Sequence, residues 1–198
     1  GVLFLISWEV MAVAAYLLIT FDHEEAEVRR AGFVYLIATH VGTAALVAMF
    51  LLMGQHAGGY DYEAFRTAAP PSVGAAAVFF ALATFGFGAK AGFVPLHVWL
   101  PEAHAAAPSP VSVVMSGVLI KMGIYGLLRM LTLLGSPAPW WGPVLIAIGF
   151  TPVPLSGAGK VVGIAIQRTA EALVSRDADV ILASHDGDFL DQVSALCD

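Results

Sequence analysis

Several long stretches with almost no charged residues constrain this chain more than any other feature. About 20 consecutive apolar residues are needed for an α-helix to cross the hydrocarbon core of a membrane. Four stretches of sufficient length lie at 2–21, 31–53, 72–90 and 111–134. A fifth apolar stretch, at 140–150, is too short to cross before the composition changes. We therefore predict an all-α polytopic membrane protein with four complete spans and a truncated fifth.

The composition agrees with a lipid-facing chain. Of its 198 residues, 59% are hydrophobic and 12% charged, against about 25% charged in an average soluble domain. The one cysteine, Cys197, can close no intramolecular disulfide. Scattered basic residues indicate that residues 1–150 bind no nucleic acid.

The first stretch lacks a basic start and carries Glu9, so it is not a signal peptide. Its apolar beginning without an initiator Met indicates a chain that starts inside a longer protein.

A change in charge density near residue 150 predicts a domain boundary. Charged residues are sparse before this point and closely spaced after it, and Thr-Pro-Val-Pro at 151–154 interrupts the helical pattern. We predict a transmembrane domain at 1–150, a junction at 151–159 and a partial α/β segment at 160–198.

The third span is predicted to be a broken helix. Its end carries Lys-Ala-Gly-Phe-Val-Pro at 90–95, which puts a charge, a glycine and a proline at membrane depth. Unwound backbone there is tolerated only where protein or water satisfies it, and it often marks an ion site. The alternative is that Lys90 extends to the membrane surface and the prolines mark an ordinary loop.

Three ionisable residues lie inside predicted spans: Glu9, His40 and Lys121. Burying such a charge costs about 2.5–3.5 kcal/mol on a lenient scale, and intramembrane charges are commonly functional. Burial favours the neutral forms, so a Glu–Lys pair could relay protons without a cofactor. The alternative for Glu9 and Lys121 is a static ion pair that fixes helix packing. For His40 we favour a packed histidine that is hydrogen-bonded by Thr43.

Two further histidines, His97 and His104, lie between the third and fourth spans together with Glu102. Their spacing fits no zinc signature. We interpret His97 and His104, like His40, as candidates for lining a cavity rather than for binding a metal.

The chain resembles a known family over residues 1 to about 150. The resemblance rests on Phe-Gly-Phe-Gly-Ala-Lys-Ala-Gly-Phe-Val-Pro-Leu-His at 85–97 and Gly-Val-Leu-Ile-Lys-Met-Gly-Ile-Tyr-Gly at 117–126. These segments are similar to the antiporter-like proton-translocating subunits of complex I, Mrp antiporters and membrane-bound hydrogenases. Trp-Glu-Val-Met at 8–11 and Thr-His-Val-Gly-Thr at 39–43 are most similar to the hydrogenase-4 and formate hydrogenlyase component B type.

The resemblance implies roles for three residues. Glu9 matches the glutamate of the family's fifth helix, Lys90 the lysine of its broken seventh helix, and Lys121 the lysine of its eighth. In the family these form half of a charged, hydrated axis. The resemblance thus implies a fragment of a proton-translocating subunit, which is the non-redox part of an oxidoreductase complex. A family member would continue beyond residue 150 through a second broken helix, which this sequence lacks.

The same resemblance implies the surroundings of the protein. The membrane part is expected to hold no cofactor, because electron transfer takes place in partner subunits. The expected partners are other membrane and redox subunits of a hydrogenase or complex I-like assembly, together with the lipid bilayer. The expected location is the bacterial or archaeal cytoplasmic membrane.

Residues 160–198 have a different pattern. An apolar strand is predicted at 178–184, followed by Asp186 and Asp188. Such carboxylates at a strand end could bind Mg²⁺, and the passage is similar to the NYN branch of PIN-like ribonucleases. The alternative is that both aspartates cap a helix. For the whole chain, the alternatives are a membrane-tethered, metal-dependent NYN-type ribonuclease and a non-functional chimeric or truncated product.

Overall fold

A computed structural model describes residues 1–135 and 137–150, with backbone alone at 149 and 150. The chain divides into two compact units, residues 1–136 and 137–198. All regular elements in the described part are helical. Those of the first unit are α1 (Val2–Ile19), α2 (Ala26–Ala57), α3 (Tyr62–Thr67), α4 (Val73–Ala91), α5 (Trp99–Ala106), α6 (Ser109–Val114) and α7 (Ile120–Leu133).

Four segments of the first unit are long and apolar enough to cross a membrane. They are Val2–Ile19, Ala26–Ala57, Val73–Ala106 and Ser109–Leu133. The predicted all-α polytopic fold with four spans is therefore confirmed.

The second span is longer than the apolar stretch predicted. The stretch begins at residue 31, but α2 begins at Ala26 and runs for 32 residues. The added first turn carries the charged residue Glu27. Charged residues cost little free energy at a helix end that reaches the membrane surface. The length of the apolar stretch therefore underestimates the length of such a helix. Gly58, in the left-handed conformation at φ 72°, ends α2.

Helix α2 lies at the centre of the first unit and packs against α1, α4 and α5. Glycines allow it to approach α4 closely. A Cβ added to Gly42 would lie 2.8 Å from the Ala89 Cβ, and one added to Gly86 would lie 2.9 Å from the Gly42 carbonyl oxygen. Small residues permit this kind of contact between membrane helices. The contact fixes the end of α4 that carries Lys90 against α2.

The third span is a broken helix, as predicted. Helix α4 ends at Ala91, and Gly92 follows at φ 75°, a left-handed conformation that favours glycine. The chain then passes through a 3₁₀ turn, Leu96–Val98, into α5. The Trp99 indole Nε1 donates a hydrogen bond of 2.8 Å to the Ala89 carbonyl oxygen, which satisfies an acceptor near the helix end.

The fourth span contains a local irregularity that was not predicted. A π-helical turn, Met115–Leu119, joins α6 to α7. Turns of this kind within α-helices are rare and often occur at functional sites. This one ends two residues before Lys121.

The described part of the second unit is short. It contains α8 (Trp141–Phe150), which corresponds to the truncated fifth apolar stretch. The predicted junction at 151–159 and the α/β segment at 160–198 lie outside the described residues.

Candidate functional site

Lys90 is a buried cation in the last turn of α4. Its exposed fraction is 2%. The Nζ atom donates a hydrogen bond of 2.6 Å to the Tyr35 hydroxyl on α2 and lies 4.8 Å from the centre of the Tyr35 ring. A lysine that reached the membrane surface would be exposed, so the alternative in which Lys90 extends out to that surface is not what the structure shows.

Tyr35 connects this lysine to the first span. Its side chain is fully buried, and its hydroxyl donates a 3.3 Å hydrogen bond to the Ala12 carbonyl oxygen on α1. The Trp99 ring packs edge-on against it at 5.2 Å between ring centres. Tyr35 was not predicted from the sequence, because a tyrosine in an apolar span satisfies the hydropathy pattern. Its hydroxyl, which needs a partner when buried, was the available signal.

Glu9 on α1 forms an ion pair with His40 on α2. The Glu9 Oε2 lies 3.3 Å from the His40 Nε2, and the exposed side-chain fractions are 34% for Glu9 and 50% for His40. In the alternative of a static ion pair, Glu9 was expected to pair with Lys121. The structure pairs Glu9 with His40 instead. The side chains meet because α1 and α2 are neighbours in the packing.

The predicted hydrogen bond between His40 and Thr43 is wrong. The His40 Nδ1 lies 2.9 Å from the Leu36 carbonyl oxygen, whereas the Thr43 hydroxyl donates to the Thr39 carbonyl oxygen at 3.1 Å. Hydroxyls within helices commonly bond back to the carbonyl four residues earlier. The Thr43 hydroxyl thus donates within its own helix rather than to the histidine.

Glu9 also lies near the contact that holds the buried lysine. It precedes Ala12 by three residues on α1, and the Ala12 carbonyl oxygen accepts from Tyr35, the hydrogen-bond partner of Lys90. The second oxygen of Glu9, Oε1, is buried and has no hydrogen-bond partner among the described residues. The structure therefore brings together Glu9, His40, Tyr35 and Lys90, from three helices.

Lys121 lies in the first turn of α7 and is partly buried. Two residues further on, α7 contacts the turn of α4 that carries Lys90. A Cβ added to Gly123 would lie 2.7 Å from the Phe87 carbonyl oxygen and 2.8 Å from the Ala91 backbone nitrogen. The backbones around the two lysines are thus in direct contact.

His97 and His104 lie around the helix break, and both are partly exposed. The His104 Nδ1 forms a 2.6 Å hydrogen bond with the Ser112 hydroxyl, which joins α5 to α6. The His97 Nδ1 and the His104 Nε2 are buried without a partner in the described part of the chain. Across that part, no group of three or more His, Cys, Asp or Glu side chains could hold a metal. Asp186 and Asp188 lie outside the described residues.

A family model covers most of this chain. The model described as NADH:quinone oxidoreductase/Mrp antiporter, transmembrane, matches residues 2–169. The chain belongs to this family. The match continues beyond residue 150, where the resemblance was predicted to end.

Individual relatives agree with this assignment. Hydrogenase-4 component B of Escherichia coli is 43% identical over 150 residues, which are 74% of this chain and 22% of that protein. NAD(P)H-quinone oxidoreductase chain 4 2 of Thermosynechococcus vestitus is 36% identical over 151 residues, 75% of this chain and 28% of the relative. The chain thus spans less than a third of the length of these relatives.

The fold is also shared with a solved structure. A chain of the membrane-bound sulfane sulfur reductase, an archaeal respiratory membrane complex, matches with a TM-score of 0.69 and 22% identity, over 86% of this chain and 37% of that one. None of these findings supports the ribonuclease alternative.

Proposed function

We propose that this chain is part of a proton-translocating subunit and that protons move through Glu9, Lys90 and Lys121. The observation that carries the proposal is Lys90, a lysine 2% exposed in a membrane span whose hydrogen bond goes to a neutral hydroxyl. The low-dielectric surroundings disfavour the charged form of a buried lysine. A small change in nearby charge can then decide whether the amine holds its proton.

Glu9 supplies that change in charge. An ionised carboxylate near a buried amine favours the ammonium form of that amine, and Glu9 is placed by α1 near the Tyr35–Lys90 contact. When Glu9 takes up a proton, this stabilisation is lost and Lys90 releases a proton. The contact between α4 and α7 at Gly123 leads from Lys90 toward Lys121 as the next acceptor.

The complete subunit is proposed to work inside a larger assembly. The printed names of the relatives describe a hydrogenase component and an oxidoreductase chain. We infer that redox subunits of a hydrogenase or complex I-like complex drive the proton movement, and that the membrane part itself carries no redox cofactor. The proposed location is a bacterial or archaeal cytoplasmic membrane.

The substitution Lys90→Met tests this function in the full-length subunit, assembled in its complex and measured in sealed membrane vesicles. Methionine is also long and unbranched, and replacing a buried charge by an apolar side chain is often tolerated. We expect the complex to assemble at its normal level while the rate of proton uptake falls about a hundredfold, as for loss of a positioned proton-transfer group.

Arg66→Met is the matched control, because Arg66 is an exposed cation on α3 with 70% of its side chain in contact with solvent. Proton uptake should be unchanged in this variant. Normal uptake in assembled Lys90→Met complexes would contradict the proposed function.

A further inference from the structure

The contact between Glu9 and His40 fixes where one proton resides. The His40 Nδ1 faces the Leu36 carbonyl oxygen at 2.9 Å. A carbonyl oxygen can only accept, so Nδ1 must carry a hydrogen. The other ring nitrogen, Nε2, faces the Glu9 Oε2 at 3.3 Å.

Two protonation states satisfy this second contact. Either Nε2 carries a hydrogen, so that a charged imidazolium faces a carboxylate, or a neutral imidazole accepts from a protonated carboxyl group. A neutral imidazole facing a carboxylate would place two acceptors against each other. The pair therefore holds one proton that can lie on either Nε2 or Oε2.

The two ends of the pair face different surroundings. His40 is half exposed on its helix, whereas the Glu9 Oε1 is buried. Ionisable side chains in membrane spans normally face a water-filled cavity or other protein. The pair thus extends from the half-exposed His40 toward the α1–α2 contact at Tyr35, which accepts from Lys90.

We propose that His40 is a proton-carrying residue that exchanges its proton with Glu9, an inference that rests on the proposed function. In the forward step, the His40 Nε2–H bond breaks and an O–H bond forms at the Glu9 Oε2. The imidazolium becomes a neutral imidazole, the carboxylate becomes a carboxylic acid, and no electrons are transferred. Once Glu9 has released this proton toward the interior, a hydronium ion that reaches the exposed side of His40 protonates Nε2 again and becomes water.

A purely positioning role for His40 makes a different prediction. A histidine that only orients Glu9 needs a hydrogen-bond donor at the place of Nε2, and the amide of a glutamine supplies one. That amide neither gains nor loses charge near neutral pH, so it cannot carry the proton. An asparagine is shorter and keeps only the donor that faces Leu36.

The experiment compares His40→Gln and His40→Asn with Glu9→Gln in the full-length subunit, assembled in its complex. Proton uptake into sealed vesicles is measured per assembled complex. We expect all three variants to lose uptake by about a hundredfold, and the double variant Glu9→Gln with His40→Gln to lose no more than either single variant. His56→Gln, the same change at an exposed position of the same helix, should keep normal uptake.

Uptake by His40→Gln close to that of the unaltered protein overturns the proposal and leaves His40 a positioning residue. If that variant fails to assemble, normal uptake by assembled His40→Asn overturns it equally. Normal uptake in Lys90→Met would instead refute the proposed function itself. Loss in Lys90→Met and Glu9→Gln with normal uptake in both His40 variants refutes only the role of His40.

Discussion

For single residues, the buried lysine shows how a phenol hydroxyl can accommodate a cation in a membrane span. Lys90 donates to the Tyr35 hydroxyl, and the same hydroxyl donates onward to a carbonyl oxygen of α1. Tyr35 can do both because a phenol is a donor and an acceptor at once. The ammonium group is therefore solvated by a neutral hydroxyl in the buried helix contact.

Two substitutions of Lys121 distinguish a role in releasing protons from a role in helix packing. Lys121→Ala should lower proton uptake in sealed vesicles by about a hundredfold. Lys121→Arg should lower it similarly, because an arginine keeps its charge and cannot release the proton. Arg129→Lys, an exposed exchange on the same helix, serves as control and should leave uptake unchanged. Full uptake in Lys121→Arg would make Lys121 a packing charge.

At the scale of elements, two irregularities lie next to the two lysines. The left-handed Gly92 ends α4 two residues after Lys90, and the π-helical turn Met115–Leu119 lies just before Lys121. A regular helix satisfies nearly all of its own backbone groups, whereas breaks and π turns free some of them. In a membrane, such free groups require partners from protein or water. At the break after Lys90, the Trp99 indole supplies such a partner to the Ala89 carbonyl oxygen.

The contact between α4 and α7 should be sensitive to one added methyl group. An added Cβ at Gly123 would lie 2.7 Å from the Phe87 carbonyl oxygen, so the helices must separate. We expect Gly123→Ala to destabilise the fold by about 1–3 kcal/mol, seen as a lower Tm of the purified full-length protein in detergent.

Gly74→Ala is the matched control, because nothing lies within 4 Å of an added Cβ at this position of α4. Alanine favours a helix over glycine by about 0.5–1 kcal/mol, so this variant should match or exceed the Tm of the unaltered protein. An unchanged Tm in Gly123→Ala would show that the two helices are less tightly packed than described.

At the scale of the whole first unit, the four spans fix which connections share a side of the membrane. The connection between α1 and α2 and the one between α5 and α6 lie on one side. The connection that contains α3 lies on the other side, because each span carries the chain from one side of the membrane to the other. The charged residues outside the spans are thus divided between the two membrane surfaces.

Cysteine labelling tests this arrangement. Glu24→Cys and Glu63→Cys place single exposed thiols in the α1–α2 connection and on α3, in a full-length protein made otherwise free of cysteine. An impermeant maleimide should label them from opposite sides when right-side-out and inverted vesicles are compared. Labelling after detergent solubilisation controls for reactivity, and labelling of both from the same side would refute the four-span arrangement.

The sequence alone determined the class of fold, the four spans and the helix break near Lys90. These depend on local properties: apolar length decides whether a segment crosses a membrane, and Gly and Pro decide where a helix ends. It also singled out Glu9, Lys90 and Lys121, because charges in apolar spans are conspicuous. The start of α2 was not predicted correctly, because a helix can extend past its apolar stretch into charged residues.

Which of these residues meet is set by the packing of the folded helices. That Glu9 contacts His40, and that Tyr35 hydrogen-bonds Lys90 across 55 positions of sequence, depends on how α1, α2 and α4 pack. Close approach at Gly42 and Gly86 sets that packing. Hydropathy along the chain records how much a residue prefers lipid, but it carries no information on the rotation of one helix against the next. For this reason the sequence did not predict that His40 meets Glu9, although it placed the spans that carry the two residues.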